Sequence, residues 1–235
     1  MDKVVIIPTF NEIENIEKII RKVFSLSGGY HIKIIDDGSP DGTAQKVKEL
    51  QREFPDRLFL TQREGKQGLG TAYICGFKWA LERNYQYIFE MDADFSHNPD
   101  DLGRLYEVCA TGQGDLAVGS RYVKGGSVVN WPFNRILISY GASLYTRMIT
   151  WMPVKDCTAG FVCYTRRVLQ ALPLDEVRFV GYAFQIEMKY RTWRKGFKIK
   201  EIPIEFIDRQ EGVSKMSKGI VKEAVLGVWK MRGFV

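Results

Sequence analysis

Several absences narrow this sequence before any motif does. Its 235 residues hold four cysteines and two histidines. The cysteines, Cys75, Cys109, Cys157 and Cys163, include no CxxC pair, which argues against a disulfide framework or a zinc knuckle and fits a reducing, cytoplasmic setting. His31 and His97 alone cannot build a multi-histidine metal centre. The longest runs free of charged residues, Gln67–Phe77 and Ile136–Thr146, are 11 residues each, against the roughly 20 that a spanning helix needs. The opening MDKVVIIPTFNE carries an acid and runs straight into a strand-like segment, unlike a signal peptide. No G-x-G-x-x-G follows that segment, which argues against NAD or FAD. No internal repeat, low-complexity tract or Ser/Gly linker separates parts of the chain.

What is present is globular: 45% apolar, 26% charged and 13% aromatic residues. A chain of this length buries roughly 70% of its unfolded surface, enough for a full core. The formal charge of +6 suits nucleic acid, anionic lipid or small phosphorylated substrates, and equally a merely solvated basic surface.

The hydrophobic pattern predicts strands at Lys3–Pro8, His31–Ile35, Arg57–Thr61, Tyr85–Met91 and Asp115–Gly119. Helices are predicted between them at Glu12–Leu26, Thr43–Phe54, Leu69–Arg83 and Pro99–Ala110. This βαβ spacing predicts an α/β fold with a mostly parallel central sheet flanked by helices, and ligands beyond the carboxyl ends of its strands. The later half is less regular. Phe133–Met152 is apolar and aromatic, Tyr182–Arg194 is a predicted helix, Lys198–Pro203 a strand and Lys218–Met231 an amphipathic helix.

The unusual polar residues gather at the predicted strand ends. Asp92-Ala93-Asp94 places two carboxylates one residue apart, a pair suited to one hard divalent cation with positions left for phosphates. The plainer alternative is a polar turn capped by Asp94 or Asn98. Asp36-Asp37-Gly38-Ser39-Pro40-Asp41-Gly42 offers a carboxylate to a ribose or base, and turn chemistry accounts for its Pro-Asp-Gly part. Pro8-Thr9-Phe10-Asn11-Glu12 follows the first strand. Arg63–Ala72 is a glycine-rich basic loop able to present backbone N–H groups and Lys66 to phosphate, although it lacks the P-loop order. Arg121, Arg135, Arg209 and Lys215 stand beside glycines or aromatics, and arginine suits bidentate phosphate contacts.

Taken in order, PTFNE, DDGSPDGT, GLGTA, DAD, GSRY, DCTAGF, GYAFQIEM and DRQEGVSK resemble the family-2 inverting glycosyltransferases of GT-A fold. Within them the chain looks like the dolichyl-phosphate (polyprenyl-phosphate) mannosyltransferases, over about residues 3–217. The resemblance implies a single Rossmann-like GT-A catalytic domain over 1–217. Residues 1–120 would form its nucleotide-sugar half and 121–217 its acceptor half, with 218–235 an amphipathic helix and no transmembrane segment. It further implies GDP-mannose as donor, a polyprenyl or dolichyl phosphate lipid as acceptor and Mg²⁺ or Mn²⁺ on Asp92 and Asp94.

The implied donor contacts are Pro8, Phe10, Glu12, Ile35, Asp37, Asp92, Ala93, Asp94, Arg209 and Lys215, with Phe10 in place of the usual Tyr. Ser96 stands where some relatives carry Gln. Arg121, Arg135 and Ser139 match acceptor-phosphate positions, and Asp92, Asp94 and Arg121 are the implied catalytic set. Asp156 and Glu187 are open between orienting sugar hydroxyls and supporting the fold.

A lipid acceptor calls for a membrane surface, so the protein is expected to lie peripherally on the cytoplasmic face, with or without a membrane-spanning partner subunit. Phe133–Met152 and Lys218–Arg232 are the candidate contacts, core packing or a partner interface being the alternative for both. Competing functions are glucosyl transfer from UDP-glucose, another family-2 transfer, and an inactive GT-A scaffold. Nucleic-acid binding ranks last, since the basic residues are spread without a recognised motif.

Overall fold

The computed structural model describes residues 2–181, 183–208 and 227–233. Strand β1 (Lys3–Thr9) starts from a run in which Val4–Ile7 are wholly buried, the signature of a parallel strand covered on both faces. Helix α1 (Ile16–Ser25) buries Ile16, Ile19, Ile20 and Val23, one face at helical spacing. The alternation continues through β2 (His31–Asp36), α2 (Thr43–Glu53), β3 (Leu58–Gln62), α3 (Leu69–Glu82) and β4 (Tyr87–Glu90). A 3₁₀ turn at Pro99–Asp101, capped by the Asn98 side chain, leads into α4 (Leu102–Ala110) and β5 (Leu116–Ser120).

The later half adds β6 (Ser127–Val129), α5 (Phe133–Thr150), β7 (Val162–Thr165), α6 (Arg166–Ala171), α7 (Ala183–Arg194), β8 (Ile199–Pro203) and β9 (Glu205–Ile207). The main sheet has seven strands in the order β3-β2-β1-β4-β7-β5-β8. Its pairings are parallel except that β7 runs antiparallel to both β4 and β5. Strands β6 and β9 form a separate parallel pair. The mostly parallel sheet was legible from sequence, whereas β6, β7, β9 and α6 were not. Three or four strand residues are too few to carry a period of their own. The order reverses beside β1, and the crevice at the carboxyl ends of β1 and β4 is where such sheets hold ligands.

One core lies on the α1/α2/α4 face and a second under α3, α6 and α7. A third cluster gathers Met152, Val154, Ile186 and Tyr190 with Val228 and Met231 of the helical stretch 227–231. Helix α5 is inverted relative to a core helix. It buries Ser143, Thr146 and Thr150, whose threonine hydroxyls donate to carbonyls one turn back. Phe133, Leu137, Tyr140, Leu144, Met148 and the following Trp151 are exposed, at intervals of three or four residues. The core alternative for Phe133–Met152 holds for Met152, with Tyr145 and Ile149 packed against its cluster, and is corrected for the exposed stripe, which points outward. Of the predicted helix Lys218–Met231, only residues 227–231 are among those described. No described helix is long and apolar enough to cross a membrane.

Helix α3 lies close on β1 because Gly76 has no side chain. A Cβ there would meet Ile6 Cγ2 at 2.4 Å. Gly76→Ala is expected to lower stability by about 1–3 kcal/mol through overpacking. The check is a denaturant midpoint that falls with unchanged slope.

Candidate active site

The crevice is organised first by carboxylates that serve the backbone. Asp36, fully buried, accepts from the Thr9 hydroxyl at 2.9 Å, the Ser39 amide at 3.0 Å and the Ser39 hydroxyl at 2.5 Å. The Ser39 oxygen in turn accepts from Asn11 N–H at 3.0 Å, so the ends of β1 and β2 are laced together. Asp41 accepts from Ile13 N–H at 3.1 Å and from the Thr43 amide and hydroxyl at 3.0 and 2.6 Å. Burial works to raise the Asp41 carboxyl, and the Thr43 and Ile13 donors reverse that, leaving it below its ordinary range. Thus the turn reading holds for Asp36 and Asp41, while Asp37 is different.

Asp37 faces the glycine-rich loop. Arg63 donates to it through Nε at 2.7 Å and forms an ion pair at 2.5 Å, and both side chains are nearly buried. Gln67 N–H adds a contact at 3.3 Å. Lys66 Nζ sits 5.4 Å from the Phe10 ring centroid. Pro8 and Ile35 are register partners across β1 and β2, and the nearly buried Glu12 follows β1. Pro8, Phe10, Glu12, Ile35 and Asp37 therefore share one strand-end wall.

Asp92, Ala93 and Asp94 follow β4. Phe95 takes a left-handed backbone (φ 60°), which turns the chain back. The Ser96 amide and hydroxyl then donate to Asp94 Oδ1 at 3.0 and 2.5 Å. Ser96 thus orients Asp94. The Asp92 amide donates to His97 Nδ1 at 3.3 Å, and the Tyr73 hydroxyl reaches Asp92 Oδ1 at 3.5 Å. Burial, helped by the Asp92 charge, pushes the Tyr73 phenol well up, so it stays a donor. Burial pushes His97 down to about 4, so its ring is neutral and stacks on Phe161 at 4.9 Å. Among the described residues no three His, Cys, Asp or Glu side chains converge as a metal cage. Asp92 and Asp94 are two hard oxygen donors, the number a substrate-bridged Mg²⁺ or Mn²⁺ uses.

Beneath this turn lies a buried polar network. Gln185 donates to Glu90, two residues before Asp92. Lys189 Nζ donates to the Ala159 carbonyl at 2.6 Å and the Gln185 carbonyl at 3.2 Å. Burial raises Glu90 to about 7 and lowers Lys189 to about 8. The sequence reading passed over Glu90, Gln185 and Lys189. The available signal was an ionisable residue inside an apolar strand and inside a helix with no polar face. Glu187 supports the fold: it accepts from the Arg178 and Phe179 amides at 2.9 and 3.1 Å and from Arg191 at 2.8 Å.

The acceptor-phosphate set is brought together. Tyr122 donates to Ser139 at 2.7 Å, and Trp131 lies between the guanidinium carbons of Arg121 (5.3 Å) and Arg135 (4.1 Å). Arg121 is committed to Asp156 by bonds of 2.7 and 2.6 Å, and its backbone amide and Thr158 extend the knot. Burial pushes the Asp156 carboxyl up, and the charge and hydrogen bonds of Arg121 more than reverse it. Arg121 is nearly buried, and its fork is matched to the Asp156 carboxylate. Arg135 pairs with Asp208 at 2.8 Å, both about one-third exposed, an ion pair that a phosphate can replace.

A cavity of about 400 Å³ joins the two regions, lined by Asn15, Asp94, Asn98, Glu205 and Asp208 among others. It connects the DAD turn to the partner of Arg135. Arg209 and Lys215 lie outside the described residues.

A doubly wound sheet with an acidic turn at its central switch point, and the Arg121–Trp131–Arg135 corner across the crevice, is the architecture of a glycosyltransferase of GT-A type. The chain belongs to glycosyl transferase family 2, whose profile matches residues 4–172. Polyprenol monophosphomannose synthase of Mycolicibacterium smegmatis is 46% identical over 231 residues, covering 97% of this chain and 87% of that protein. Undecaprenyl-phosphate mannosyltransferase of Micrococcus luteus is 45% identical over 223 residues, covering 95% and 90%. Among solved structures, glucosyl-3-phosphoglycerate synthase from Mycobacterium tuberculosis, in complex with Mn²⁺, UDP-glucose and phosphoglyceric acid, shares the fold. Its TM-score is 0.73 at 16% identity, over 100% of this chain and 80% of that one.

Two outcomes follow from the geometry. Arg121→Met strands a buried Asp156 and is expected to cost about 3–5 kcal/mol of stability. Arg135→Met is expected to cost less than about 1 kcal/mol while lowering transfer, and paired unfolding and activity assays check both. For His97, the unfolded ring takes its proton near 6.5 and the folded ring near 4. Stability is therefore full above pH 6.5 and falls as pH drops toward 4, because the unfolded ring takes the proton that the buried ring resists. His97→Gln is expected to flatten that dependence in a pH series of denaturant midpoints.

Proposed function

We propose that this enzyme transfers mannose from GDP-mannose to a polyprenyl phosphate, with inversion, yielding polyprenyl phosphate β-mannose and GDP. The observation that carries the reading is a shared cavity. Asp94 of the DAD turn and Asp208, the ion-pair partner of Arg135, line one cavity of about 400 Å³, and Arg135 stacks on Trp131 at the start of the outward-facing apolar helix α5. A sugar donor at one end and a lipid phosphate at the other need such an order. The 45–46% identity to a polyprenol monophosphomannose synthase and an undecaprenyl-phosphate mannosyltransferase supports the same substrates.

In this reading Pro8, Phe10, Glu12, Ile35, Asp37 and Ala93 hold the nucleotide, and Arg209 and Lys215 contact the diphosphate. Asp92 and Asp94 hold Mg²⁺ or Mn²⁺, and their hard-oxygen pair fits either ion. When bound, the ion neutralises charge that develops on the departing diphosphate. Ser96 keeps Asp94 in register for that task. The nucleophile is an oxygen of the lipid phosphate, whose second pKa lies near 6, so it arrives ionised and needs no general base. Arg135 takes the phosphate as Asp208 releases it, and Ser139 adds a hydrogen bond. One displacement breaks the sugar–diphosphate bond as the sugar–phosphate bond forms, which inverts the anomeric carbon. Helix α5 rests on the cytoplasmic face of the membrane, where the isoprenoid tail stays in lipid.

The test is transfer of labelled mannose from GDP-mannose into organic-extractable lipid, with polyprenyl phosphate in detergent and Mg²⁺ or Mn²⁺. Label is expected in the lipid and is expected to vanish with EDTA. Asp94→Asn should lower the rate about 100-fold or more with the fold intact. Product from UDP-glucose alone overturns the sugar, and product from neither donor overturns the reaction.

A further inference from the structure

We propose that a second phosphate site, separate from the acceptor corner, sits at the far end of α5 and takes the headgroup phosphate of an anionic bilayer phospholipid. The proposal rests on the reading that α5 lies on a membrane. A cavity of about 270 Å³ opens between the end of α5, α7 and the 227–233 stretch. Trp151, Tyr190 and Trp193 contribute its aromatic walls, Arg194 and Arg232 its charge, and no acid lines it. Among the described residues neither Arg194 nor Arg232 has a carboxylate partner, whereas Arg191, one turn earlier on α7, is matched to buried Glu187.

Position favours lipid over a soluble anion. Trp151 leaves α5 in a left-handed conformation (φ 62°) and is 77% exposed, and Trp229 is 55% exposed beside the cavity's Arg232. Exposed tryptophans with arginines at the end of an apolar stripe are the make-up of a headgroup-level belt. Arg135 and Trp151 are 16 residues apart, about 24 Å along the helix. With acceptor phosphate at one end and phospholipid phosphate at the other, α5 is fixed parallel to the bilayer plane. The terminal stretch is anchored for this role by Val228 and Met231, which are buried against Met152 and Ile186.

The experiment is co-sedimentation of the full chain with phosphatidylcholine vesicles, with and without phosphatidylglycerol. Wild type is expected to bind the anionic vesicles more tightly. R194Q/R232Q is expected to lose about 5-fold per arginine on anionic vesicles and to match wild type on neutral ones, with an unchanged melting temperature. The charge-matched K48Q/R52Q, on α2, is expected to stay within about twofold of wild type. Retained anion preference in R194Q/R232Q, or an equal loss in K48Q/R52Q, overturns the site. A tryptophan-fluorescence titration with soluble glycerol phosphate separates the sources: an arginine-dependent response as strong as that to vesicles overturns the lipid assignment. L137D/M148D is expected to lose all vesicle binding while R194Q/R232Q keeps the neutral-lipid component. Failure of wild type to bind any vesicle overturns the membrane reading and this site with it.

Discussion

The aromatic corner between β5 and α5 depends on one buried ion pair, Arg121 with Asp156. Its two charges are almost without water, so each is tolerable only because the other is there. The guanidinium also donates to the Thr158 hydroxyl and lies within 5.5 Å of the ring centres of Tyr122, Trp131 and Phe206. It thereby gathers the end of β5, the approach to α5, the loop before β7 and strand β9 into one rigid corner. Arg135 meets that corner through Trp131, and Ser139 meets it through Tyr122. The two arginines illustrate how burial divides labour between identical side chains: one is matched to a carboxylate in the interior, the other half-exposed and exchangeable.

The donor side has the same logic in smaller units. Asp36 and Asp41 spend their hydrogen-bonding capacity on backbone and hydroxyl groups, and Ser96 spends its own on Asp94. The Glu90–Gln185–Lys189 network beneath ties β4 to α7 and to the loop at Ala159. Gln185 bonds to both Glu90 and Lys189, and all three side chains are buried beneath the DAD turn.

Much of this was legible beforehand. The first half of the fold follows from apolar runs and helical periods long enough to count, and PTFNE, DDGS and DAD fall at strand ends as their order implied. What escaped was what local pattern cannot carry. Strand β7 is four residues whose direction is set by neighbours on both sides. The pairing of Arg121 with Asp156 spans 35 residues, and nothing near either one announces it. Helix α5 misleads in the opposite sense. Its apolar stripe is plain in the sequence, but whether such a stripe faces inward depends on what covers it, and here Ser143, Thr146 and Thr150 face the protein.

The antiparallel β7 has an evolutionary consequence. It is contributed from beyond α5, yet it is inserted between β4 and β5, bonded to both. Any exchange of the chain beyond residue 120 therefore brings in a β7 that must pair with both the resident β4 and the resident β5, so the two halves are fitted to each other through one four-residue strand.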